Sequence, residues 1–371
     1  MFVLRQAGAA DVDAIVGLAA HLNTLNLPPE PEFISELVLG SQRSFAGGEM
    51  PEAFDPERRF LFVLEAPGGE LVGTSMVHAQ HGTPHEPHVF FHVDEEERFA
   101  DVSADDEIRE VHMVHRVLRL GMTYRGPSEV GGLVLDPAYR GHPHKLGRLL
   151  SLGRFVYIAR RRHYFRDRVL AELLPPLYKG PDGLTRSPLW DALGSRFTGL
   201  TYSEADTLSR DDKGFIWQLF PQTPVHAALL PSGVREIIGR VGDASKGAQR
   251  LLESIGFLDS GRVDPFDGGP HFEARTDELT LVRDLRSYAY ETAELGPEVL
   301  GAVVASESDH GFRAVWTAVE AVPNAFDERG QLTHVRLRAN ALEALGNPER
   351  VHIALRPEIR TKQIPWRLSG G

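Results

Sequence analysis

The sequence has no cysteine among its 371 residues. That excludes disulfides, thiolate metal sites and a cysteine nucleophile, and it fits a reducing cytoplasm. No apolar run approaches the ~20 residues that a membrane-spanning helix needs, so no membrane partner is expected. Low-complexity tracts are missing. So are the glycine-rich nucleotide signatures G-x-x-x-x-G-K-[ST] and G-x-G-x-x-G, the H-E-x-x-H of zinc proteases and the G-x-S-x-G of a serine nucleophile elbow. Basic charge is in short supply: 40 Lys and Arg face 52 Asp and Glu, a formal net charge of −12, which argues against a nucleic-acid partner. What remains is the composition of an ordinary globular protein long enough for two or three domains.

The opening, MFVLRQAGAADVDAIVGLAAHL, meets Asp11 and Asp13 too soon for a signal peptide. It reads as a strand, FVLRQA, and a helix with apolar residues at Ile15, Leu18, Ala19 and Leu22. A second helix is expected in EFISELVLGSQRSF, and a hairpin in RFLFVLEAPGGELVGTSMVHAQ around its Pro-Gly-Gly turn. The acidic HVDEEERFADVSADDE reads as a solvated excursion. EVGGLVLDP and RVLAELL read as strands, and KLGRLLSLGRFVYIARRR as an amphipathic helix. SPLWDALGSRF is a short helix with Ser187 as its N-cap and Gly194 near its end. AQRLLESIGF echoes it, which suggests a partial second copy, and the chain beyond about residue 290 alternates like β-strands. The expected class is α+β around a mixed sheet. The expected domains are residues 1–215, 216–290 and a small β-rich part at 291–371.

One stretch carries a chemical signal, LVLDPAYRGHPHKLGRLLSLGRF, from Leu133 to Phe155. A strand ends in Asp-Pro, a basic loop follows, and a helix begins. A helix N-terminus offers unpaired N–H groups and the positive end of the dipole, a place where phosphates bind. Gly141 and Gly147 let the backbone approach an anion, and Arg140, Lys145 and Arg148 add charge. An ordinary polar loop before a helix stands beside that reading.

The strand, the LDPxxRG turn and the GRLL helix resemble the pyrophosphate loop of GCN5-related acyl-CoA N-acyltransferases. The usual Arg-x-x-Gly-x-Gly/Ala pattern is altered: the loop is longer by about two residues, and Lys145 stands where its first glycine would fall. Further along, LNTLNLPPEPEFISELV, FLFVLEAPGGELVGTSMV, SEVGGLVLDPAYR, SPLWDALGSRF, FDGGPHFEAR and VVASESDHGFRAV follow in order. This collinear set resembles the arginine N-succinyltransferase family over nearly the whole chain.

The resemblance implies a GCN5-related fold and transfer of a succinyl group from succinyl-CoA to the α-amine of arginine, or ornithine, in arginine catabolism. Succinyl-CoA would be a co-substrate, with no tightly bound cofactor. Leu133 and Val134 would meet the pantetheine arm through their backbone, and Arg140, Gly141, Lys145, Leu146, Gly147 and Arg148 the pyrophosphate. Glu129 matches a glutamate of the family's SSEL segment and is a candidate base or amine ligand, with Ser128 beside it as a substrate contact. His226, displaced from the family's HPIY histidine where this chain has Thr223, is the other candidate base. Asp267, in a Gly-Gly turn, could meet the substrate's cation, and His271 and Glu273 follow it in strand alternation. Each of these residues also has a purely structural reading. The histidines grouped by spacing, His85, His88 and His92, His112 and His115, and His142 and His144, make no zinc signature, and no metal is expected. The basic run Arg160 to Arg168 reads as a solvated helix end. Two alternatives stay open: another acyl-CoA or amine, and a non-catalytic subunit paired with a related chain. Homo-oligomers or hetero-oligomers are the expected assemblies, in the cytoplasm.

Overall fold

The computed structural model describes residues 1–20, 27–47, 53–84, 86–104, 107–181, 183, 185–209, 213–308 and 311–355. Its strands, in chain order, are β1 (Val3–Gln6), β2 (Arg59–Glu65), β3 (Leu71–His78), β4 (His88–Ala104), β5 (Glu107–Thr123), β6 (Ser128–Leu135), β7 (Arg168–Glu172), β8 (Tyr178–Lys179), β9 (Thr185–Arg186), β10 (Val225–His226), β11 (Leu258–Val263), β12 (Pro270–Arg275), β13 (Leu285–Thr292), β14 (Leu300–Ser308), β15 (Gly311–Ala321), β16 (His334–Leu337) and β17 (Val351–Ala354). Three helices concern the argument: α1 (Val12–Ala19), α2 (Pro31–Phe45) and α3 (Leu146–Arg160). No described helix is long and apolar enough to cross a membrane.

By contact the chain forms two discontinuous units. The first gathers 1–78, 130–165 and 276–371; the second gathers 79–129 and 166–275. This differs from the three sequential segments expected from the sequence. The reason is strand pairing: β1 pairs with both β2 and β15, so the last part of the chain joins the sheet of the first. Both echoing helical stretches, LWDALGSRF and AQRLLESIGF, fall in the second unit.

In the first unit the strand order is β6-β3-β2-β1-β15-β14-β17-β13-β16. Phe60 to Leu64 of β2 are all buried, the continuous apolar run of a strand covered on both faces. Leu61 and Val63 pack with Ile15 and Leu18 of α1 and Ile34, Leu37 and Val38 of α2. Phe60 and Phe62, of the other parity, meet Tyr157 of α3 with ring centroids 5.1 and 5.3 Å apart. α3 is not the amphipathic helix expected. It is buried almost all round, including Arg154. The expected solvated basic run is instead paired, Arg161 with Glu307 at 2.6 Å and Arg162 with Asp277 at 2.6 Å.

In the second unit the order is β10-β5-β4-β11-β12-β7, with the first residues of β6 running parallel to β7. Its core centres on Trp190, stacked on Phe266 with centroids 4.9 Å apart. The acidic excursion is in fact a ribbon of two 17-residue strands, β4 and β5. Cross-strand pairs offset its charge: Arg119 bonds Asp94 at 3.0 Å and also Glu96, and Phe99 stacks on His112 at 4.3 Å. Ser187 caps the LWDALG stretch by accepting from Trp190 N at 3.1 Å, as expected, but the left-handed end residue is Gly199, not Gly194.

β6 has a local irregularity. Gly132 takes φ +55 in mid-strand, where a Cβ would lie 3.1 Å from that of Met76. Its carbonyl accepts from Thr74 Oγ1 at 3.0 Å. Gly132→Ala is expected to destabilise the fold by about 1–2 kcal/mol, the cost of left-handed backbone for an L residue. Urea unfolding of the two proteins checks this. An unchanged midpoint would show that the strand relaxes without cost.

Candidate active site

In the first unit, β6 leads through Asp136 into the basic loop. Asp136 accepts from Ala138 N at 2.8 Å and starts a single turn at Pro137–Tyr139. Gly141 takes φ +73, and Lys145, the residue before α3, takes φ +53, an unusual choice for a side chain with a Cβ. Arg140, Lys145 and Arg148 are exposed, while Leu146 is buried. Arg148 also lies over the Trp316 ring at 5.3 Å. Val134 is buried and Leu133 half-buried. Behind the strand, Arg154 donates to Gly131 O at 3.1 Å and to Ser151 O at 3.2 Å. Burial alone pulls its guanidinium down to about 9.

The second unit holds the ionisable groups. β7 and β12 pair so that Glu172 stands opposite His271. β6 runs parallel to β7 with Glu129 opposite Leu170, two residues before Glu172 and so on the same face. His88 opens β4. His81 sits in the turn before it, fixed by its own N–H donating to Pro127 O at 2.7 Å. Around Glu172 Oε1 lie His271 Nε2 at 3.3 Å, His88 Nε2 at 3.6 Å and His81 Nε2 at 3.9 Å. His81 Nδ1 lies 2.8 Å from Glu129 Oε2.

Desolvation governs how these groups titrate. Burial works against the His81 imidazolium, but Glu129 and then Glu172 outweigh it and hold the ring above its ordinary value. Burial pulls His88 well down, and the neighbouring His81, His271 and Lys213 add to that. It brings His271 down to about 4 against the opposing pull of Asp264. Burial, then the charge of Glu129, pushes Glu172 up. Burial and Glu172 raise Asp264; burial and Asp264 raise Asp267 well above the carboxylate range. Burial opposes the Lys213 ammonium, yet Glu172, Asp264 and Glu129 keep it above its usual value.

Among the residues expected from sequence, Glu129, Asp267 and His271 come together in this unit, all buried. Asp267 accepts from Gly269 N at 2.7 Å, with Gly268 at φ +79. Ser128 is fully buried, its hydroxyl donating to Ala79 O at 2.6 Å and accepting from Arg166 N at 2.8 Å. Glu273 binds Arg168 at 2.7 Å. His226 is not in the cluster. It lies on β10, at the other end of the unit's strand order, with its ring 5.8 Å from that of His115. Sequence reasoning missed His81, Glu172, Lys213 and Asp264, and read His88 only by its spacing to other histidines. No local signal joins them, because strand pairing across about a hundred residues does. His85 lies outside the described residues.

A sequence model described as the arginine N-succinyltransferase beta subunit matches residues 2–281. The chain belongs to the arginine N-succinyltransferase family. It is 33% identical over 286 residues to the arginine N-succinyltransferase subunit beta of Pseudomonas aeruginosa, covering 76% of this chain and 79% of that one. It is 31% identical over 358 residues to the arginine N-succinyltransferase of Yersinia pestis, covering 93% and 95%. The solved arginine/ornithine succinyltransferase subunit AI from Pseudomonas aeruginosa superposes with a TM-score of 0.76 at 28% identity, over 95% of this chain and 98% of that one. The resemblance drawn from the sequence is borne out, and with it the acyltransferase fold and enzyme class.

The left-handed Lys145 gives a test within this site. Lys145→Gly is expected to raise stability by up to about 1 kcal/mol, since glycine adopts that backbone freely. Chemical unfolding reads it, and a clear loss of stability would mean that the lysine side chain, not its backbone, holds the loop.

Proposed function

We propose that this family member moves a succinyl group from succinyl-CoA to the α-amine of arginine or ornithine. The carrying observation is the match to named arginine N-succinyltransferases over more than nine-tenths of both chains. Two features of the molecule support it. Within the first unit β6 is an edge strand, and an edge strand offers unpaired N–H and C=O groups to an extended, amide-bearing arm such as pantetheine. Beyond it, Arg140, Lys145 and Arg148 ring the N-terminus of the 15-residue α3, which suits a pyrophosphate.

The chemistry asks little more. The acceptor amine must lose a proton, attack the thioester carbonyl and expel coenzyme A as a thiolate, which takes up a proton in turn. A backbone N–H of β6 serves the developing oxyanion. Glu129 is the proton acceptor in this reading, because it shares β6 with the coenzyme stretch and is already surrounded by ionisable groups. A guanidinium or ammonium beside Asp267 would draw off its proton and pair with the carboxylate, so the group favours a cationic amino acid over a neutral one. Ser128 contributes by fixing the head of the strand. The protein acts in the cytoplasm, as an assembly of its own copies or with a related chain; sedimentation analysis reads which.

Thiol release from succinyl-CoA and acetyl-CoA, with arginine, ornithine, lysine or no acceptor, tests the reading directly. With no cysteine of its own, the protein is silent to a thiol-reactive dye. Release that needs both succinyl-CoA and arginine or ornithine is expected; release indifferent to the acceptor would sink the proposal. Glu129→Gln should lower kcat by about 10²–10⁴-fold, the usual weight of a general base, with little change in KM for succinyl-CoA. His226→Ala should leave kcat nearly unaltered. The reverse ranking would move the base to His226. Lys145→Gly should weaken coenzyme A binding in calorimetry even where it steadies the fold.

A further inference from the structure

Three imidazoles converge on one carboxylate oxygen, and their facing nitrogens have no hydrogen-bond partner. Among the described residues, His81 Nε2 and both ring nitrogens of His88 and of His271 are buried without one. His88 is 1% exposed and His271 fully buried. A buried polar atom left unpaired costs about 1–3 kcal/mol, so several at one point need a reason.

For two of them, His81 Nε2 and His88 Nε2, a bound cation would supply it. One ligand atom from each of His81, His88 and Glu172 lies within 4.8 Å of the other two. The Nε2 atoms of His88 and His81 stand 3.6 and 3.9 Å from Glu172 Oε1. Zinc held tetrahedrally at ~2.0–2.1 Å sets its ligands about 3.3 Å apart, so both nitrogens stand within a few tenths of an ångström of that separation from Oε1. Behind His81, Glu129 Oε2 lies 2.8 Å from Nδ1. A carboxylate in that place fixes the tautomer and leaves Nε2 bare for a metal. The Glu172 side chain keeps 22% of its surface exposed, which gives an ion a way in.

We propose that His81, His88 and Glu172 hold a divalent metal ion of the zinc class through Nε2, Nε2 and Oε1, with Glu129 as the carboxylate behind His81. Imidazole and carboxylate donors without thiolate suit zinc, cobalt and nickel better than magnesium or calcium. Three protein ligands leave the fourth position open. His271, Glu172 and Asp264 form a second triad that shares Glu172, and it is the competing location. The inference goes beyond the acyl-transfer reading and does not depend on it.

The test uses the tag-free full chain. Elemental analysis should find about one zinc per chain. After chelation and dialysis, zinc alone should raise the melting temperature, as a ligand of the native state must. Cobalt alone should give the visible absorption of a four-coordinate site. His88→Ala and Glu172→Gln should weaken zinc binding by roughly 100-fold or more, and Glu129→Gln by about 10–100-fold. Circular dichroism checks that each variant folds, and the wild-type zinc and cobalt titrations stand if one does not. No zinc-induced stabilisation of the wild type, or unchanged affinity in a folded His88→Ala, would overturn the site. Loss of zinc in His271→Ala with full retention in His88→Ala would overturn it in favour of the second triad. Thiol release is measured separately, so failure of the metal site and failure of succinyl transfer give different results.

Discussion

Desolvation of the charges gathered beside Glu172 is the constraint around which the second unit is built. Strands β6, β7 and β12, the turn before β4 and the turn after β11 each deliver ionisable groups to one buried place. Burial pushes the carboxyls up and His88 and His271 down, and opposite charge nearby and backbone N–H donors offset it. A buried ionic cluster contributes little to stability compared with an apolar one of the same volume. Its groups are what an active site needs, so the cluster argues for function more than for folding.

Strand β6 is the second organising feature. Its first two residues pair with β7, and the strand also neighbours β3. Further along it, two carbonyls accept from side chains. Gly131 O accepts from Arg154, and Gly132 O accepts from the Thr74 hydroxyl. A buried guanidinium facing carbonyls and a hydroxyl, with no carboxylate bonded to it among the described residues, is costly unless the place it holds matters. Here it holds the stretch of backbone immediately before Leu133 and Val134.

Local pattern made the regular elements legible. The hairpin of β2 and β3, the strand β6, α3 and the β-rich end of the chain could all be read from periodicity and turn residues. Where reading failed, the cause was tertiary. α3 looked amphipathic, but a sheet and a later part of the chain cover Ser151 and Arg154 too. The acidic ribbon looked solvated, but charged residues alternate well in a two-stranded ribbon when Arg119 pairs across it. The site was half legible. Glu129, Asp267 and His271 lie in segments with family counterparts, whereas His81, Glu172, Lys213 and Asp264 sit in segments that carry no motif. Grouping histidines by spacing pointed to neighbours in the chain, while His81, His88 and His271 meet only because three separate pairings bring them to Glu172.

The two candidate bases differ in what surrounds them more than in their chemistry. An isolated histidine has the better intrinsic pKa for taking a proton near neutrality. His226, on its two-residue strand at the edge of the second unit, meets the ring of His115, and among the described residues no carboxylate pairs with it. Glu129 begins with a poorer pKa, but it is buried, paired with an imidazole, and set among other ionisable groups. Placement decides proton transfer before basicity does, because a base out of reach has no rate at all. The proposal of Glu129 over His226 rests on that ground.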